Sequence, residues 1–123
     1  MSNKHSIPKD QAKGMTKKFR EKRDHILAPE FKNKDILPKC ETFDRAAFDR
    51  VLAQDGCTSI RIYYGMDAED KVHAIIVGVD AQNRDMLKSS AANVVMDGVD
   101  DEIIENGDRC PTVCSPPPSE LNS

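Results

Sequence analysis

Two cysteines four residues apart, in Cys110-Pro111-Thr112-Val113-Cys114, are the part of this sequence whose types and spacing point most directly to chemistry. Thiols so spaced can share a metal ion, close a small disulfide ring, or stay free. A zinc site needs a second spaced pair of ligands. Cys40 and Cys57 do not supply one, because they lie far apart on either side of a predicted helix. They read instead as small apolar residues packing near the helix ends. The expectation is therefore unligated thiols, with zinc on Cys110 and Cys114 as the alternative and Cys40, Cys57 or His73 as helpers.

Arg61, Tyr63 and His73 form a second group. On a strand pair they share one face, where a guanidinium, a phenol and an imidazole together can bind an anion or move a proton. No Ser or Cys nucleophile is placed beside them by motif, and no Asp or Glu on the same strands orients His73. They read as decoration of a half-covered sheet.

A third group is basic. Lys9, Lys13, Lys17 and Arg20 recur at helical spacing and form one stripe. Such a stripe suits an acidic protein surface. Nucleic acid is disfavoured, because Asp10, Glu21 and Asp24 interrupt the charge and the rest of the chain is acidic.

Other sources of chemistry are missing. There is no phosphate-cradling Gly-rich loop, HExxH, GxSxG or EF-hand spacing, and Asp97–Glu102 reads as a solvated acidic turn.

The elements that position these groups follow from pattern. Ser6-Ile7-Pro8 can open a helix, and Ala12, Met15, Phe19 and Ile26 make one apolar face over 9–27, ended by Pro29. Ile36-Leu37-Pro38 is an apolar contact inside a linker. Asp44 can cap a second helix, with Phe43 and Phe48 at the spacing of a hydrophobic staple and Gly56 as its stop.

Thr58–Tyr64 alternates and Lys71–Val79 is β-branched, so the two predict an antiparallel hairpin. The register expected is Tyr63 opposite His73 and Ile62 opposite Ala74. Ile60, Ile62, Tyr64, Val72, Ala74 and Ile76 then form the core face, and the second strand is the more central. Val94–Met96 and Glu102–Glu105 are short candidate strands, and the Pro-rich run from Cys110 reads as extended or disordered.

Composition sets the frame. The chain has 123 residues, 38% hydrophobic and 32% charged, with six Phe and Tyr and no Trp, which predicts a thin core. Residues 1–34 hold ten Lys/Arg against four Asp/Glu, a net +6, leaving −9 on residues 35–123. No apolar run reaches the ~20 residues of a membrane span. The start is charged rather than signal-like, so a reducing, cytoplasmic setting is expected.

The fold class predicted is α+β: a small antiparallel sheet, built on the 58–79 hairpin plus short later strands, packed by one or two N-terminal helices. The organisation is a basic helical arm over 1–34, an α+β core over 35–109 and a Pro-rich tail over 110–123. The function expected is a non-enzymatic protein-interaction or assembly module. Its partner is another protein or a second copy, captured by Lys9, Lys13, Lys17 and Arg20. The alternative is a small metal or thiol-redox protein using Cys110 and Cys114.

Overall fold

The computed structural model describes residues 4–87, 103–105, 107–116 and 119–122. Within them lie helix α1 (Lys9–Lys22), a 3-10 turn (Pro29–Phe31), strand β1 (Cys40–Thr42), helix α2 (Arg45–Leu52) and strands β2 (Cys57–Met66), β3 (Val72–Asp80) and β4 (Asp108–Cys110). The strands make two antiparallel pairs, β1 with β4 and β2 with β3. The architecture is α+β, as the sequence predicts. Val94–Met96 lies outside the described residues.

Helix α1 begins after Pro8, whose fixed φ suits a helix start, and stops at Lys22. Ile26, counted in its apolar face, therefore falls beyond the helix, and no residue of α1 is buried. The chain just after α1 is tied down instead. Arg23 donates to the Leu37 carbonyl at 2.6 Å and meets Asp35 at 3.6 Å, while the Asp24 carboxylate accepts the Asn33 N–H at 3.1 Å.

Helix α2 carries the staple. The Phe43 and Phe48 rings meet edge to face at 5.9 Å and fix the entry angle of the chain. Asp44 occupies the cap position without a side-chain cap bond. The helix ends at Leu52, and Gly56, at φ 90°, serves the turn into β2 rather than the helix stop.

The hairpin forms with a register two residues from that expected. Tyr63 lies opposite Ile75, Ile62 opposite Ile76, and Gly65 opposite His73. The connecting loop is the physical reason. The Asp67 carboxylate accepts the N–H groups of Glu69 and Lys71 at 2.8 and 2.9 Å, and the Asp67 N–H donates to the Lys71 carbonyl at 3.0 Å. This Asx-type turn draws Gly65 and Met66 into the strand. A slip of two keeps every side chain on its expected face.

Strand β3 is the central one. Backbone groups on its far edge are met along its length: Val72 N–H by Ile36 O (2.7 Å), Ala74 N–H by the Glu41 carboxylate (2.7 Å), Ile76 by Ile104 in both directions (2.8 Å each), Gly78 O by Met86 N–H (2.9 Å) and Asp80 N–H by Arg84 O (3.0 Å). Ile104 thus realises, as a single bridge, part of the fourth strand expected over Glu102–Glu105.

The core is small. Val51, Ile76 and Ile104 are buried together, with Phe43, Ala47, Phe48, Cys57 and Ile60 against them. Two residues of the expected core face fall outside it: Ile62 is 50% exposed and Tyr64 78%. Helix α2 spans only eight residues and covers one end of the hairpin, leaving the Ile62–Met66 end of that face open. Val77 and Val79, on the face expected to be mixed, are buried.

Candidate functional site

Arg61, Tyr63 and His73 share a face, but only Arg61 and Tyr63 meet, at Asp85, and His73 stands apart. Arg61 pairs with Val77 and His73 with Gly65, so the two sit four residues apart along the ladder, roughly 13 Å at ~3.3 Å per residue. Each has its own carboxylate, neither of which the strand pattern marked.

The first carboxylate is Asp85. The Asp80 side chain accepts the backbone N–H groups of Gln82 and Arg84, both at 2.9 Å, and this turn brings Asp85 back beside Val79. Asp85 then receives the Arg61 guanidinium at 2.5 Å and the Tyr63 hydroxyl. The hydrogen bond from Tyr63, with Arg61 second, holds the Asp85 carboxyl below its usual range. Asp85 in turn raises both the Tyr63 phenol and the Arg61 guanidinium above theirs. A phenol so held is a poor acid, and the cation is already matched, so the group pins the loop to the sheet rather than waiting for an anion.

The second centre is His73, largely buried. Its Nε2 lies 2.6 Å from Asp67 Oδ2, and its Nδ1 faces Glu41 at 3.5 Å and Glu105 at 3.8 Å. Backbone N–H of Lys71 first, and then His73, lower the Asp67 carboxyl to about 2. Asp67 therefore stays ionised and accepts a hydrogen bond from the His73 ring at Nε2. Glu41 Oε2 and His73 Nδ1 are buried with no hydrogen-bond partner. Among the described residues no three His, Cys, Asp or Glu side chains are arranged to hold a metal ion. The polar cleft above His73 is lined by Asp67, Arg109 and Thr112 among others. Arg109 is spent on the carbonyls of Val72, Asp35 and Ile36, at 2.7 to 3.1 Å.

Cys110 and Cys114 are joined as a disulfide. This corrects the expectation of four unligated thiols, and it takes up the two sulfurs that the zinc alternative needs. A turn whose Val113 N–H donates to Arg109 O at 2.8 Å brings the two together. Cys110 is no tail residue: it is buried in β4, opposite Cys40. Cys40 and Cys57 are free; Cys57 packs on the core as expected, whereas Cys40 is exposed.

The basic stripe of α1 faces the chain's own end. Lys9 and Lys13 reach Glu120 at 2.8 and 4.0 Å, and Arg20 donates to the Leu121 carbonyl. Lys17 pairs along the helix with Glu21 at 3.2 Å.

The outer edge of β2 is the feature that the sequence reading did not single out. On β3 the N–H groups of Val72, Ala74 and Ile76 point away from β2, so by antiparallel alternation the backbone groups of Ile60, Ile62, Tyr64 and Met66 point away from β3. Among the described residues nothing pairs with them. Comparison of the chain with protein-family models, with curated proteins and with solved structures gives no match.

Proposed function

We propose that this chain is a non-enzymatic interaction or assembly module whose docking element is β2. One observation carries the reading: a ten-residue strand whose outer edge is unpaired among the described residues and whose apolar face is open toward Met66, beside a neighbour whose far edge is met at Val72, Ala74, Ile76, Gly78 and Asp80. Natural sheets guard such edges with Lys, Pro, bulges or covering segments. From Ile60 to Met66 the strand carries neither Lys nor Pro, and its irregularity falls at the Cys57 end. An edge of this kind suits strand addition, in which main-chain hydrogen bonds supply affinity and alternate side chains supply selectivity.

The polar clusters support the same reading by their occupancy. Arg61, Tyr63 and Asp85 satisfy one another, and His73 lies apart from them, so the three expected site residues do not assemble one reaction centre. The basic stripe keeps its place as a seat for an acidic segment, and Glu120 and Leu121 of the same chain sit on part of it. The test is removal of residues 1–28 and, separately, Tyr64→Lys. The reading expects assembly to be lost with Tyr64→Lys while the hairpin stays folded in both. Assembly that survives Tyr64→Lys would remove β2 from the role.

The disulfide supports a second reading, thiol exchange. Cys114 is exposed and Cys110 buried, so an incoming thiolate meets the Cys114 sulfur. A mixed disulfide forms there as the Cys110–Cys114 bond breaks, and Cys110 leaves as the thiolate and takes up a proton. A second thiolate then attacks the outer sulfur of the mixed disulfide, leaves with it as a small-molecule disulfide, and frees Cys114 to take up the second proton. Mass spectrometry after mild thiol treatment tests it. A gain of two hydrogens at the 110–114 pair is expected, and an unreactive bond would exclude it.

A further inference from the structure

The occupant of the β2 edge can be read from the strand itself. We propose that it is the β2 strand of a second copy of this chain, added antiparallel about a two-fold axis at Ile62. This rests on the interaction reading above and names its partner.

Alternation decides most of it. The outward backbone groups belong to even-numbered residues, so an added strand must bond to Ile60, Ile62 and Tyr64. A second β2 meets that requirement only if even residues face even residues. Centring on Ile62 pairs Ile62 with its own copy and Ile60 with Tyr64 on both sides of the axis. These are β-branched and aromatic partners, which suit cross-strand contact. The exposed side chains of Ile62, Tyr64 and Met66, each half or more open to solvent, then form one stripe continuing across two copies.

Charge selects among the registers. Arg61 is the only charged residue of β2. Centring on Arg61 would set two guanidinium groups directly opposite each other, which is unfavourable. Centring on Tyr63 would set the two phenols, each bound to its own Asp85, side by side and leave Arg61 opposite Gly65. Centring on Ile62 sets each Arg61 across from Tyr63 of the second copy, whose hydroxyl holds that copy's Asp85. The cation of one copy then faces the anion of the other. The two hairpins become one four-stranded sheet, and both β2 edges disappear into it.

The test uses the full chain, with sedimentation over a wide concentration range and disulfide trapping. The wild type should dimerise, and Tyr64→Lys, at an exposed position, should weaken the dimer tenfold or more. For trapping, Cys40→Ser and Cys57→Ala remove the free thiols. Ile62→Cys should then bridge two chains under mild oxidation, because directly paired residues lie ~5.5 Å apart, within disulfide reach. Tyr63→Cys should not bridge. A dimer untouched by Tyr64→Lys, or one bridged through Tyr63→Cys and not Ile62→Cys, would overturn the proposal. A wild type that stays monomeric at all concentrations would also overturn it. The broader interaction reading fails on a different result: protected edge amides in that monomer, meaning the chain covers its own β2 edge.

Discussion

Ile76 and Ile104 exchange both backbone hydrogen bonds, each at 2.8 Å, and thereby close the middle of β3's far edge. With Val72 on Ile36 O and Ala74 on Glu41, this contact makes β3 interior and, among the described residues, leaves β2 as the open side of the hairpin. Ile76 is 2% exposed and Ile62, directly opposite it, 50%. The pair sits at the boundary between the buried core and the exposed end of the hairpin face.

That boundary is measurable by substitution. Ile76→Val should cost about 1 kcal/mol, because a methylene is lost from a packed site. Ile62→Val, on the open side, should stay within about 0.5 kcal/mol in the monomer. Urea unfolding compares them. Equal losses would mean that the face around Ile62 is covered.

Gly107 makes a sharper prediction. A Cβ placed there would lie 2.5 Å from Phe43 Cζ and under 3 Å from two further ring carbons. The ring belongs to the staple that starts α2 and cannot swing clear without leaving Phe48. Gly107→Ala should therefore destabilise by about 1–3 kcal/mol, the usual cost of overpacking. An unchanged urea midpoint would show that the Phe43 contact has room.

Acid sensitivity follows from the turn carboxylates. Asp67 is lowered from 3.8 to about 2 by Lys71 N–H and His73, and Asp80 and Asp85 are lowered too. A carboxyl with a depressed folded value stays ionised in the native state where the unfolded chain already binds a proton. Its contribution is present above the unfolded value near 3.8 and is lost as pH falls through about 2. Stability should decline over that window, and Asp67→Asn should flatten part of the decline. Carbon-detected NMR titration reads Asp67 directly; a midpoint near 3.8 would contradict the account.

The disulfide closes a short ring, so its chain-entropy contribution is modest, ~2 kcal/mol. Cys114→Ser and reduction of the wild type should lower stability by similar amounts, near that figure. A reductant-insensitive midpoint would show that β4 and the turn hold without the bond.

What the sequence disclosed follows the range of the forces involved. The hairpin, its face assignment and the Phe43–Phe48 staple depend on neighbours within a few residues, and all were legible. The register was two residues off because the Asp67 turn, a side-chain-to-backbone device, decides how far the strands extend. Strands β1 and β4 are three residues each, too short for any periodic signal. The partners of Arg61 and His73 come from the chain's return paths: Asp85 through the Asp80 turn, and Glu41 from a strand on the other side of α2. The open edge was hidden for a related reason. The pattern did mark the second strand as the more central, but the groups that complete its far edge, Ile36, Glu41 and Ile104, are all distant in sequence from β3 and carried no local signal.

The central claim is that β2 has a free outer edge available for pairing, and residue-resolved amide exchange in dilute protein tests it most directly. The account predicts fast exchange at Ile60, Ile62 and Tyr64 and slow exchange at Ala74 and Ile76, with Ile60, Ile62 and Tyr64 becoming protected as concentration rises. Protection of Ile62 and Tyr64 at every dilution would contradict it, because the edge would then be occupied within a single chain.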